Sequence, residues 1–331
     1  MILQFFVPLF WAILITLLIA PVSIKIAEKF KLIDHPNTAP HKVHQGSVPK
    51  GGGIALALVV FFLVLASAEA KLADVRTILA ASVFILLFGI WDDAKGLSAG
   101  WKLSGQILAA IVLIWQGLHI RMFGHPIPNI AMTIFWIVGI TNAFNLVDSM
   151  DGLAAGLAAI ASSFFLFVTI DANQLHLTYM SAVLLGSCIG LFYYNTTPAY
   201  TFLGDSGAQF LGFMLATLAM AYTPPGLPQP SSWFVPILLL GVPILDTTLV
   251  VVSRLRRGAP IYKAGQDHLY HRLTQLGMSP AQAVVAMHVA ALLIGSLAFV
   301  ALQLPPLPAN LLFGLALLSG LISLIILQKK I

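Results

Sequence analysis

Eleven continuous apolar runs constrain this chain more than any other feature. They fall at about residues 2–24, 52–68, 77–91, 102–118, 130–147, 152–170, 177–194, 207–222, 233–253, 281–302 and 309–328. A bilayer core of about 30 Å is crossed by roughly 20 apolar helical residues, whereas barrel strands alternate over about 10. Charged residues make up 9% of the chain and mean hydropathy is +0.95; a soluble domain carries about 25% charged residues. The expected fold is an all-α polytopic membrane protein, a single domain over 1–331, with about eleven transmembrane helices. The first run lacks a basic leader and a small-residue cleavage site, so it reads as a retained span. One cysteine, Cys188, excludes an intrachain disulfide and a cysteine-rich zinc site.

Lysine and arginine set the orientation. With the N-terminus outside, the inner loops hold Lys25, Lys29, Lys31, Lys42, Lys50, Lys95, Lys102, Arg254, Arg256, Arg257, Lys263, Arg272, Lys329 and Lys330. The outer loops hold Lys71, Arg76 and Arg121, and these fourteen and three make up all 17 basic residues. The C-terminus is then cytoplasmic, as an odd span count requires.

The same orientation gathers the acidic clusters at the cytoplasmic face, although acids played no part in choosing it. Asp92-Asp93 ends the third run, and adjacent helical residues point about 100° apart. One of the pair can meet a metal or a proton while the other orients a lysine; a helix-end solvation pair is the plainer alternative. Asn142, Asn145, Asp148 and Asp151 recur every third residue, forming a polar stripe at the end of span five. The plainer alternative makes the asparagines helix-to-helix ties and Asp151 a cap for span six; for Asp148 the functional reading is the stronger. Gly204-Asp205-Ser206-Gly207 reads as a turn and cap, or as a phosphate-binding helix start whose carboxylate holds a metal, with Phe202 placed to stack on a base. Grouped carboxylates suit a hard divalent cation, and such cations carry phosphates.

Two inner loops carry further chemistry. Asp267-His268-Leu-Tyr270-His271-Arg272 supplies two imidazoles and a guanidinium, a set able to grip a diphosphate; a basic lipid-facing patch is the simpler reading of the arginines. Asp34, Lys42, Lys50 and the glycines at 51–53 mark the first loop, and no P-loop spacing is present. Asp246 lies inside span nine, where Pro236 and Pro243 can break the helix; a functional role and packing against Thr247 or Thr248 weigh equally there. His119, His125, His176 and His288 read as incidental.

Together these motifs resemble the polyprenyl-phosphate N-acetylhexosamine-1-phosphate transferases, the MraY/WecA/TagO type. The resemblance runs in order from Ile33 to Arg272 and is strongest to the WecA/TagO branch. Lys50 stands where that branch usually has arginine, and Tyr270 where its relatives often have a middle histidine. The resemblance implies transfer of a sugar-1-phosphate, most commonly N-acetylglucosamine-1-phosphate, from a UDP-sugar to a polyprenyl phosphate, starting cell-envelope polysaccharide synthesis. It implies Mg2+, with Mn2+ able to substitute, on Asp205 as chief ligand with Asp92 and Asp148. It places Asp92, Asp93, Asp148, Asp205, His268 and His271 among the catalytic residues. Lys42, Lys95, Lys102, Asn142, Asn145, Asp151, Phe202 and Arg272 then contact substrate. Asp92 is either a base or a residue that positions Lys102 or the metal. The implied setting is the bacterial plasma (inner) membrane with cytoplasmic catalytic loops; a homodimer is compatible with it and nucleic acid is not a partner. A cation- or proton-coupled transporter is the competing class; it would need deep acids and two-sided access, and Asp246 alone lies deep.

Overall fold

The computed structural model describes residues 3–35, 46–225, 229–261 and 265–329. Lys42, Lys263 and Lys330 lie outside them. Each of the eleven apolar runs is helical. In order the helices are α1 (Leu3–Lys29), α2 (Gly52–Leu65), α3 (Ala73–Lys95), α4 (Ala99–Trp115), α5 (Pro126–Val147), α6 (Leu153–Asp171), α7 (Leu175–Asn195) and α8 (Gly204–Ala221). Then follow α9 (Phe234–Leu239), α10 (Gly241–Arg256), the short α11 (Leu269–Gln275), α12 (Pro280–Leu302) and α13 (Pro306–Lys329).

Seven of these, α1, α3, α5, α6, α7, α12 and α13, are long and apolar enough to cross a membrane by themselves. The chain is therefore a helical, multi-pass membrane protein. The ninth apolar run is two helices. Leu240 leaves the helical region at φ −105°, ψ 18°, and Pro243 has no N–H to give the Leu239 carbonyl, so the ladder parts there. The fold is not purely helical. Ile33–Asp34 (β1) pairs antiparallel with Val48–Pro49 (β2), Ile33 opposite Pro49. Alternation over two residues is too short to register in a sequence. The ribbon also lies along the approach to α8: Phe202 N–H donates to Pro49 O at 2.9 Å, and Gly52 N–H to Phe202 O at 3.0 Å.

Helix α8 is the axis of the bundle. Its residues are buried without interruption from Ser206 to Met220, the pattern of a helix enclosed on every side. In lipid, helices gain little from leaving an apolar solvent, so close backbone packing through small residues holds them together. Gly53 of α2 meets Gly207, Gly89 of α3 meets Ser206, and Gly212 faces Thr141 and Ile140 of α5. A methyl group on Gly53 would run into the Gly207 backbone and lie 2.7 Å from Leu203 O. Overpacking of this kind costs about 1–3 kcal/mol. Gly53→Ala is expected to lower the apparent melting temperature in detergent by several degrees, whereas Gly314→Ala, with nothing within 4 Å, leaves it unchanged. Equal melting of the two variants would contradict this packing.

Candidate active site

At one end of the bundle the C-terminus of α3, the N-terminus of α4, the C-terminus of α5 and the N-terminus of α8 converge on a polar cluster. Asp93 gives both carboxylate oxygens to the start of α8. Oδ1 accepts from Asp205 N at 2.9 Å and Oδ2 from Ser206 N at 3.0 Å. It thus caps a helix on which it does not lie, and satisfies two amides that a helix start leaves open. Gly204 has φ +69°, and a Cβ there would sit 2.7 Å from Asp93 Oδ2. Glycine is required on both counts.

Lysines flank the cap. Lys50 Nζ lies 3.2 Å from Asp93 Oδ1 and 3.9 Å from Asp34 Oδ1. Burial alone would lower its pKa; Asp93, Asp205 and Asp34 outweigh that and raise it, so Lys50 stays charged. Lys102 bridges Asp92 Oδ2 and, at 2.9 Å, Asp205 Oδ1. Asp92 Oδ1 accepts from Leu97 N at 2.7 Å. Both Asp92 oxygens are thus engaged, and this carboxylate orients a lysine. Of the two roles open to it from sequence, the geometry favours positioning.

Asp205 is placed differently. Oδ1 accepts from Lys102 and, at 2.8 Å, from Asn145 Nδ2. Oδ2 has no hydrogen-bond partner among the described residues. The Lys102 and Asp205 side chains are 25% and 24% exposed, so the cluster is reachable. Asp148, just past α5, also offers a carboxylate without a hydrogen-bond partner among the described residues. Burial, then the charges of Asp205 and Asp93, push its pKa well above the usual carboxylate range. A nearby cation would reverse that.

Does this donor set fit magnesium? Among the described residues no group of three histidine, cysteine or carboxylate side chains forms a closed cage. Magnesium does not need one: it is usually held by one or two carboxylates together with substrate phosphates. The open oxygen of Asp205, with Asp148 nearby, meets that requirement. Asp92, committed to Lys102 and Leu97, does not offer a free oxygen.

The rest of the stripe divides. Asn142 Nδ2 donates to Gln106 Oε1 at 2.6 Å, and Gln106 Nε2 to Gln209 Oε1 at 3.0 Å. This buried amide chain joins α5, α4 and α8, so Asn142 is interhelical glue. Asp151 does not cap α6. Gly152, at φ +74°, occupies the cap position without a side-chain bond, and Asp151 Oδ2 receives Ala199 N at 3.4 Å. Lys95 is exposed, and Phe202 is half-buried beside the ribbon.

The second inner loop packs on α10. Asp267 is gripped by Arg254 Nε at 3.0 Å and by Arg257. Burial would raise its pKa, but the two guanidinium groups outweigh it and hold the carboxyl below its usual range. His268 Nδ1 lies 2.9 Å from Asp246 Oδ2, and Tyr270 Oη 2.7 Å from His271 Nε2. Tyr270 also faces Ser149, next to Asp148, so this loop adjoins the carboxylate cluster.

Arg272 corrects the sequence expectation. Its Nε donates to Asp267 O at 3.2 Å, Nη1 to Leu327 O at 2.6 Å and Nη2 to Ser253 Oγ at 3.0 Å. The fork ties the loop to α10 and α13 and is not presented to a diphosphate. Asp246 was the opposite case, an acid of open role, and its partner is neither Thr247 nor Thr248. No spacing rule could connect it to a histidine 22 positions away on another element. Arg272→Lys, which keeps the charge and loses the fork, is expected to cost on the order of 2 kcal/mol. Chemical denaturation in mixed micelles reads this out; wild-type stability would show that the three bonds carry no weight.

Residues 75–223 match the family model described as glycosyl transferase family 4. That stretch holds Asp92 through Asp205 but not His268 or His271. The chain is 34% identical to a Bacillus subtilis protein described as a probable undecaprenyl-phosphate N-acetylglucosaminyl 1-phosphate transferase, over 84% of this chain and 79% of that one. A decaprenyl-phosphate N-acetylglucosaminephosphotransferase of Mycobacterium tuberculosis is 32% identical, over 87% and 81%. An undecaprenyl-phosphate alpha-N-acetylglucosaminyl 1-phosphate transferase of Yersinia pestis is 26% identical, over 91% and 85%.

Proposed function

Because the chain belongs to the family of polyprenyl-phosphate N-acetylglucosamine-1-phosphate transferases, we propose that it moves N-acetylglucosamine-1-phosphate from the UDP-sugar to a membrane polyprenyl phosphate. A phosphate oxygen of the lipid attacks the β-phosphorus of the donor. The bond from that phosphorus to the bridging oxygen breaks, and UMP leaves with the electron pair. The lipid phosphate is already largely ionised at neutral pH, with a second pKa near 6, so no strong base is required. This agrees with an Asp92 whose two oxygens are occupied.

The observation that carries the reading is the state of Asp205: one oxygen fixed by Lys102 and Asn145, the other open, on the first turn of a buried helix. The α8 N-terminus favours negative charge nearby. Lys50 and Lys102 add two positive charges beside it. Asp205 and Asp148 would hold magnesium together with the donor diphosphate, and the ion would there supply charge neutralisation. Asn145 and Lys102 orient Asp205; Asp93 fixes the helix start. His268 and His271 face the donor from the second loop, and Phe202 offers a ring to the uracil. The transporter alternative loses its motive, because the deep acid Asp246 is bound to a histidine of the same loop.

Asp205→Asn keeps the shape and removes the charge. We expect UMP release to fall about 100-fold or more, with no recovery at high magnesium, in a protein of unchanged melting temperature. Near wild-type rates with an ordinary magnesium dependence would remove Asp205 from the site.

The site faces the cytoplasm in this reading, with eleven crossings and the N-terminus outside. The basic split between loops supports it. Exposed positions suit a labelling test, since native Cys188 is buried. Lys29→Cys is expected to react from the cytoplasmic side and Lys71→Cys from the outer side. Reaction of both from one side would overturn this topology.

A further inference from the structure

Asp246 is wholly buried in α10, and both its oxygens face the start of α11. Oδ2 meets His268 Nδ1 at 2.9 Å, and Oδ1 accepts from Leu269 N at 2.5 Å. An ionised carboxylate can only accept, so it selects the imidazole form carrying hydrogen on Nδ1. His268 is itself 5% exposed. Tyr270 stacks on its ring, centroids 5.9 Å apart and planes 16° apart. Nε2 has no hydrogen-bond partner among the described residues. A buried imidazole is thus fixed in orientation from one side, with no partner among the described residues on the other.

The surroundings repeat the arrangement. Ser253 receives Arg272, while Arg254 and Arg257 hold Asp267. Residues 246, 253, 254 and 257 are spaced by seven, eight and eleven, which places them on one face of a helix. That face of α10 grips the loop from both flanks of His268.

We infer that Asp246 is a positioning residue for the transfer reaction, one that sets the tautomer and direction of His268 so that Nε2 meets the sugar diphosphate. This rests on the reading that His268 contacts the donor, and the test separates the two claims. It uses full-length protein in detergent with polyprenyl phosphate, UDP-N-acetylglucosamine and magnesium, and compares Asp246→Asn, His268→Ala and the double variant. The amide can donate to Nδ1 and so loses the tautomer selection. Partners that orient a functional imidazole are worth about 10–100-fold. We expect a kcat loss of that size in Asp246→Asn, and a double variant no slower than His268→Ala alone. If the two losses multiply, or if Asp246→Asn lowers melting temperature and leaves kcat intact, Asp246 is a fold tie and the inference fails. If His268→Ala turns over normally, the donor-contact reading fails instead.

A measurement on the wild-type protein does not depend on how the variants fold. With 15N-histidine labelling, and His268→Ala to identify the signal, His268 is expected to carry hydrogen on Nδ1 at every pH. A neutral ring with hydrogen on Nε2 alone would overturn the inference.

Discussion

One carboxylate, Asp93, fixes the start of α8 and with it the place of Asp205. A buried acid near lipid is costly unless paired. The Asp93 side chain is 1% exposed and is satisfied by two amides at the start of α8 and by Lys50. The helix dipole adds to the same attraction. The bond that stabilises Asp93 also locks the first turn of α8, and Asp205 is the second residue of that turn. Structure and site therefore share one interaction: loosening the cap would move Asp205, whose second oxygen is open.

Among the described residues around the cap, carboxylates outnumber ammonium groups. Asp34, Asp92, Asp93, Asp148 and Asp205 make five carboxylates, against the two ammonium groups of Lys50 and Lys102. Burial and the neighbouring carboxylates Asp205 and Asp93 raise the Asp148 pKa. On the proposed function, a divalent cation arriving with a diphosphate would meet that excess without a preformed cage.

Much of this was legible in the sequence. The apolar runs located the helices, Pro243 signalled the break in the ninth, and the acidic motifs pointed to one end of the bundle, where direct hydrogen bonds now join α3, α4, α5 and α8. Three-residue spacing placed Asn142 and Asn145 on one face, but did not show that Asn142 ends on a glutamine chain while Asn145 reaches Asp205. Adjacency told that Asp92 and Asp93 diverge, not which one takes the helix and which the lysine. Arg272 misled because charge was readable and partners were not: its fork ends partly on the Leu327 carbonyl, 55 positions away, and any residue type can supply a carbonyl. The Asp246–His268 pair was hidden for the same reason, being a contact between elements.

The central claim is that this cluster carries out a magnesium-assisted exchange between a sugar nucleotide and a lipid phosphate. It is tested most directly by following UMP from purified protein given UDP-N-acetylglucosamine, with polyprenyl phosphate and magnesium each supplied or withheld. Stoichiometric UMP and lipid-linked diphospho-sugar are expected when all are present, and neither product when the lipid phosphate or the divalent cation is missing. UMP formed at full rate in excess chelator, or without the lipid phosphate, would contradict it.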